Sequence, residues 1–134
     1  MEERNKREIA FWYIYSQQIQ RQNNKTQVKL FLDSNEIEDP RTREYVKEAA
    51  NAIKENEEEI ENIISKNLKQ GWTIDRISTI DLSLLKLAIY EIKYKKIPYK
   101  IVINEVVNYA KSYGEENSGP FINGVLASIV SEGE

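Results

Sequence analysis

From Ile80 to Ile92 the chain carries apolar residues around nearly the whole circumference of one helix. Ile80, Leu82, Leu84, Leu85, Leu87, Ala88, Ile89 and Ile92 leave only Ser83, Lys86, Tyr90 and Lys93 for a polar stripe at spacings of three and four. A surface helix needs a single apolar face, so a helix apolar on most sides must be enclosed by other elements. This segment is therefore predicted to form the centre of the fold. Ser78-Thr79-Ile80-Asp81 reads as a capping box that opens it, with Asp in the usual place of Glu.

The rest of the sequence supplies the enclosing helices. Ile9, Ala10, Tyr13 and Ile14 fall on one face of a first helix from Arg4 to about Gln22, with Phe11, Trp12 and Tyr15 widening its stripe. Val28, Leu30, Phe31 and Leu32 predict a short second helix. Asp39-Pro40 is an N-cap followed by proline at the first helical position, with Tyr45, Val46, Ala49, Ala50 and Ile53 behind it. Glu57-Glu58-Glu59 starts a fourth helix where carboxylates favour the dipole, with Ile60, Ile63, Ile64 and Leu68 as its buried face and Gly71 as its end. After Pro98, Ile103, Val106, Val107 and Ala110 mark a sixth helix closed by Gly114, and a seventh opens at Ser118-Gly119-Pro120 with Ser118 as N-cap. No alternating run suits a sheet. The reading is an all-α fold of about seven helices, with the 134 residues forming one domain.

Whole classes of chemistry are excluded. The chain has no His and no Cys, which removes disulfides, zinc sites on N/S ligands, thiol nucleophiles and His-based acid/base catalysis. Glycines are scattered, so no phosphate-cradling loop exists. Glu57, Glu58, Glu59 and Glu61 resemble hard-cation ligands in kind only, since successive helix residues point in different directions. The expectation is no enzyme, no cofactor and no metal. The apolar run 9–15 is too short to span a bilayer, so a cytoplasmic protein without a membrane partner is expected.

The net charge of -3 argues against nucleic acid until the charges are placed. Residues 1–25 carry +2, 26–81 carry -5, 82–114 carry +4 and 115–134 carry -4. The second basic block surrounds the Pro98 turn, where Lys93, Lys95, Lys96 and Lys100 interleave with Tyr94 and Tyr99. Cations for phosphates beside rings that stack on splayed bases are what single-stranded RNA binding needs, although a solvated lysine-rich loop has the same composition.

The carboxyl-terminal half carries, in order, Ile77-Ser78-Thr79-Ile80-Asp81, Leu84-Leu85-Lys86-Leu87-Ala88-Ile89-Tyr90-Glu91, Ile97-Pro98-Tyr99-Lys100, Ile103-Asn104-Glu105-Val106-Val107, Ala110-Lys111-Ser112-Tyr113-Gly114 and Phe121-Ile122-Asn123-Gly124-Val125-Leu126. In that order and spacing the series resembles the NusB family of bacterial transcription antitermination factors. Arg7-Glu8-x-Ala10 and Tyr15 fit the family's opening helix, whereas residues 22–68 match in helical character alone. The resemblance implies two packed helical bundles and no catalysis. It further implies binding of single-stranded boxA RNA with ribosomal protein S-ten (NusE) within the transcription elongation complex. By position it assigns RNA contacts to Arg4, Lys6, Arg7 and Tyr15, to Tyr99 and Lys100 beside Lys96 of the basic turn, and to Tyr113, Asn117 and Phe121. Asp75 and Asp81 match acidic positions presented to the ribosomal partner.

Structural roles compete for some of these: Tyr15 and Phe121 as core, Asp81 as a cap, Asn117 as a turn former. Asn123 and Gly124 are expected to serve close helix packing. Family members commonly begin with a dense arginine run, but residues 1–8 here offset three basic groups with three acidic ones, which predicts low unaided RNA affinity. Two other readings remain open at this point. One is a non-catalytic interaction bundle, a homodimer or scaffold using the polar stripe of the central helix and the aromatics of helix one. The other is a relative of the helical domain that precedes some RNA methyltransferases, which would need a cofactor-binding domain downstream.

Overall fold

Leu84, Leu85, Leu87 and Ala88 are fully enclosed, as the composition of their helix requires. The computed structural model describes residues 5–20 and 25–132. Seven α-helices occupy them: α1 (Lys6–Gln20), α2 (Lys25–Ser34), α3 (Pro40–Glu55), α4 (Glu57–Lys66), α5 (Thr79–Ile89), α6 (Tyr99–Tyr113) and α7 (Ser118–Glu132). No strand occurs among the described residues. The helices form two packed bundles. α1 and α2 gather on α3, α6 and α7 pack on each other with α4 against α7, and α5 touches α1, α4, α6 and α7. Among the described residues no helix is long and apolar enough to cross a membrane.

The helix starts follow local chemistry. Asp39 accepts from the Thr42 amide at 3.3 Å and the Thr42 hydroxyl at 2.8 Å, with Pro40 at the first position of α3. Ser78 accepts from the Asp81 amide at 3.1 Å and caps α5. Two segments depart from expectation. α4 ends at Lys66, well before Gly71, and a short 3-10 turn, Ile74–Arg76, leads into α5. At the other end α5 passes into a π turn, Tyr90–Tyr94, in which the Lys95 amide donates to the Tyr90 carbonyl at 3.1 Å.

The stripe of the central helix is not a surface. Ser83, Lys86 and Tyr90 are all buried, while Lys93 is exposed. The Lys86 ammonium reaches Glu61 at 2.9 Å and Glu57 at 3.4 Å, so two carboxylates one turn apart on α4 neutralise a lysine from α5. The interaction bundle built on this stripe loses its contact face. Phe11 is buried as well, and Trp12 and Tyr15 are half-buried.

A second buried charge ties the bundles together. Glu91, in the π turn, has no exposed surface; the Arg7 Nε donates to it at 2.5 Å and the Tyr45 hydroxyl donates to its other oxygen. Arg7 also reaches Glu105 of α6 at 3.4 Å. One cation from α1 and one hydroxyl from α3 thus fix the carboxylate that follows α5. Burial is the largest single influence and works against the Arg7 charge, but the hydrogen bond to Glu91 and the charges of Glu91, Tyr45 and Glu105 together outweigh it and hold the guanidinium pKa above its ordinary value. Burial first, and then the Glu91 charge, raise the Tyr45 phenol pKa, so it remains a donor.

Removing one partner of a buried ion pair leaves an uncompensated charge, so Arg7→Met is expected to cost about 3–5 kcal/mol in urea unfolding at pH 7. Adding Glu91→Gln to that variant is expected to recover at least half of the loss. A single-variant cost below about 1 kcal/mol, the scale of exposed pairs, would show that the charge is not shielded.

Candidate functional site

The basic turn is built by the π turn and the proline that follows it. Lys96 adopts a left-handed backbone (φ 57°), which reverses the chain, and the Pro98 carbonyl accepts the first amides of α6 from Ile101 and Val102. Tyr99, Lys100 and Ile101 emerge exposed on that first turn. Two of the four lysines here are held by carboxylates, Lys93 by Glu59 at 3.3 Å and Lys95 by Glu48 at 3.6 Å. Among the described residues no ion pair engages Lys96 or Lys100. Tyr99 and Lys100 border a groove of about 490 Å³ between α6 and α7, with Asn123 and Ala127 on its far wall. The close helix packing expected of Asn123 and Gly124 is absent. Asn123 is exposed, and a Cβ added to Gly124 would meet nothing within 4 Å.

The other end of α6 is aromatic. Phe11 lies 5.4 Å from Tyr113, 6.3 Å from Tyr15 and 6.4 Å from Tyr109, and Trp12 meets Tyr113 edge-on at 6.3 Å. The Tyr113 hydroxyl donates to Glu8 at 2.5 Å and its ring stays exposed. The next residue must be glycine, because a Cβ on Gly114 would lie 2.5 Å from the Ser118 hydroxyl and 2.9 Å from the Ala110 carbonyl. Ser118 is buried and begins α7 instead of capping it; its hydroxyl accepts from the Glu115 amide at 3.0 Å. Asn117 is exposed, and Phe121, one turn on, is half-buried with its ring 6.2 Å from Trp72.

These groups do not form one contiguous patch. α6 spans fifteen residues, so Tyr99 and Tyr113 stand about 20 Å apart along its axis. The start of α1 lies on a different flank of α6 from the groove. Glu105, Tyr109 and Tyr113 meet α1, whereas Tyr99, Ile103 and Val107 front α7, more than a quarter-turn away. Lys6 is exposed with its ammonium 5.0 Å from the centre of the Tyr45 ring. Arg7 corrects the expectation placed on it: its guanidinium is enclosed and bound to Glu91, so it does not face a phosphate. Arg4 lies outside the described residues. The signal that marks Arg7 was present in the sequence, since it precedes Ala10 by three and Ile14 by seven on the buried face of α1.

The two acidic positions separate likewise. Asp75 is exposed in the 3-10 turn and lines a groove of about 870 Å³ bounded by Tyr13 and Gln17 of α1, Ile53 of α3, and Glu57 and Glu61 of α4. Asp81 is buried against the start of α7, with Oδ1 lacking a hydrogen-bond partner, so it is not presented to a partner. Burial raises its pKa and the Glu115 charge adds to that, while hydrogen bonds with Ser118 and Ser78 oppose it. Among the described residues no cluster of His, Cys, Asp and Glu is placed to hold a metal. Trp72 was missed altogether; its only signal was a large ring in a polar segment, Lys69-Gln70-Gly71-Trp72-Thr73.

A carboxyl group whose pKa is raised by folding favours the native state when protonated. That contribution is complete below the ordinary value of 3.8 and is lost as pH rises through the raised value. Asp81→Asn is therefore expected to raise the thermal midpoint at pH 7 by roughly 2–6 °C and to leave it nearly unchanged at pH 3. A lower midpoint at pH 7 would mean that the start of α5 favours the charge more than burial opposes it.

The chain as a whole is similar to known proteins. A family model described as the NusB family matches residues 4–131. The transcription antitermination protein NusB of Acetivibrio thermocellus is 40% identical over 131 residues, which cover 97% of this chain and 89% of that protein. Among solved structures, T. maritima NusB is 31% identical with a TM-score of 0.84, covering 98% of this chain and 94% of that one. A chain in the crystal structure of antitermination factors NusB and NusE in complex with dsRNA is 28% identical with a TM-score of 0.86, covering 95% of this chain and 94% of that one.

Proposed function

The chain belongs to the NusB family, and from that premise we propose that it is a transcription antitermination factor that binds a boxA-like single-stranded RNA together with ribosomal protein S-ten (NusE). It acts within the elongation complex, in the cytoplasm, and catalyses no reaction. The observation that carries this reading is the match, along nearly the whole chain, to a protein solved with NusE and RNA.

Exposed and half-buried groups support it. Lys96, Tyr99 and Lys100 supply cations and a ring at one end of α6, and Tyr15, Tyr113, Asn117 and Phe121 supply rings and an amide at the other. An extended RNA strand is suited to such a spread, because its phosphates and bases can be met separately along its length. Lys6, exposed at the start of α1, adds a cation, while Arg7 positions α1 through Glu91 and contacts no phosphate. Asp75 is the acidic residue available to the ribosomal partner, and Asp81 acts only by setting the start of α7. With Arg7 used internally, the amino end offers still fewer phosphate contacts than its composition promised, so the partner supplies part of the affinity.

The test is binding of labelled boxA RNA, against a scrambled sequence, with and without NusE at two salt concentrations. Preference for boxA that strengthens with NusE is expected; no preference in either condition would end the antitermination reading. Lys100→Glu is expected to weaken binding without altering the unfolding midpoint and to make the salt slope shallower by about 0.7, one phosphate contact on a single strand. Loss of fold in that variant would contradict the exposure of Lys100.

A further inference from the structure

We infer that Trp72 is a base-stacking residue, the outer half of a two-ring platform that Trp72 and Phe121 present to the RNA. The inference rests on the RNA-binding reading above and adds to it a residue from a different part of the chain.

Trp72 is 50% exposed, an unusual state for the largest apolar side chain. It sits between α4 and the 3-10 turn, directly after Gly71, whose φ of +90° lets the chain turn there. Its ring centre lies 6.2 Å from that of Phe121, with the planes inclined at 38°. The pair therefore holds the indole in place while half of it remains in water. Asn117 lies just before α7, its carbonyl accepting from the Phe121 amide at 3.0 Å, and is exposed, which puts an amide donor and acceptor near the rings.

The surroundings favour a nucleobase over a protein anchor. An interface Trp is enclosed by other apolar groups at the centre of its contact, whereas the chain on either side of Trp72 is Lys69, Gln70, Gly71 and Thr73, all exposed. A flat ring flanked by a cation, amides and a hydroxyl suits a splayed base, whose face stacks while its edge and phosphate find polar partners. The acidic groups Asp75, Glu115 and Glu116 lie nearby in sequence, so this end is not strongly cationic, and stacking, not charge, supplies its affinity.

The chain contains two tryptophans, so in a Trp12→Phe background the indole emission comes from Trp72 alone. Labelled boxA RNA is titrated in the presence of NusE, following RNA anisotropy and Trp72 emission together. The expected result is emission quenching that saturates with the anisotropy. Trp72→Ala is expected to bind about 5-fold to 150-fold more weakly, the range for one lost base stack, and Trp72→Phe to stay close to the parent. Unchanged affinity in Trp72→Ala with no quenching would overturn the inference while leaving RNA binding intact. Quenching by NusE alone, with none on adding RNA, would also overturn it and assign the ring to the protein interface. Absence of any RNA binding by the parent would remove the inference and the reading on which it rests together.

Discussion

A carboxylate with no access to water organises this molecule. Taking Glu91 out of solvent is costly unless its charge is met, and the two groups that meet it come from helices far away in sequence, Arg7 on α1 and Tyr45 on α3. Each of those helices also buries an apolar face, but an apolar face can slide or rotate a little at small cost. A guanidinium and a phenol on one carboxylate cannot. The amino-terminal bundle is thereby held at one angle to α5, and the first turn of α1 is set against the flank of α6 through Glu105.

The same economy governs the other charges. Lys86 enters the core because Glu57 and Glu61 arrive from α4 to receive it, and Lys93 and Lys95 are returned to Glu59 and Glu48. Four carboxylates from the middle of the chain are therefore taken up by lysines of α5 and its extension. That is how a chain of net charge -3 can keep Lys96 and Lys100 at the Pro98 turn exposed. Net charge describes solubility and long-range attraction; it says little about which lysines remain available.

Local chemistry was legible in the sequence. Asp39-Pro40, Ser78 and Gly114 act where their side chains, or the lack of one, dictate, and the enclosure of α5 followed from its apolar circumference. What escaped depends on partners distant in sequence. Periodicity assigns Lys86 and Arg7 to a face, but a cation on a buried face looks like an error until a carboxylate 25 or 84 residues away is found beside it. Gly124 fails for the converse reason: a glycine amid apolar helix residues suggests a close neighbour, and here the space is open. Trp72 was passed over because hydrophobic pattern weighs a ring by the helix it belongs to, and this one belongs to none.

The π turn at Tyr90–Tyr94 carries Glu91 at one side and leads into the basic turn at the other, with the Ile97 amide donating to the Glu91 carbonyl at 3.0 Å. A π turn is a helix holding one residue more than α spacing allows, so losing or gaining a residue there would rotate all that follows by about 100° relative to α5. The non-helical residues 95–98 would have to absorb that turn for α6 to keep its seat against α5 and α7. In descendants of this sequence the exposed Lys93 and Lys95 can be exchanged at little cost to the fold, whereas Glu91 and its register behind α5 cannot.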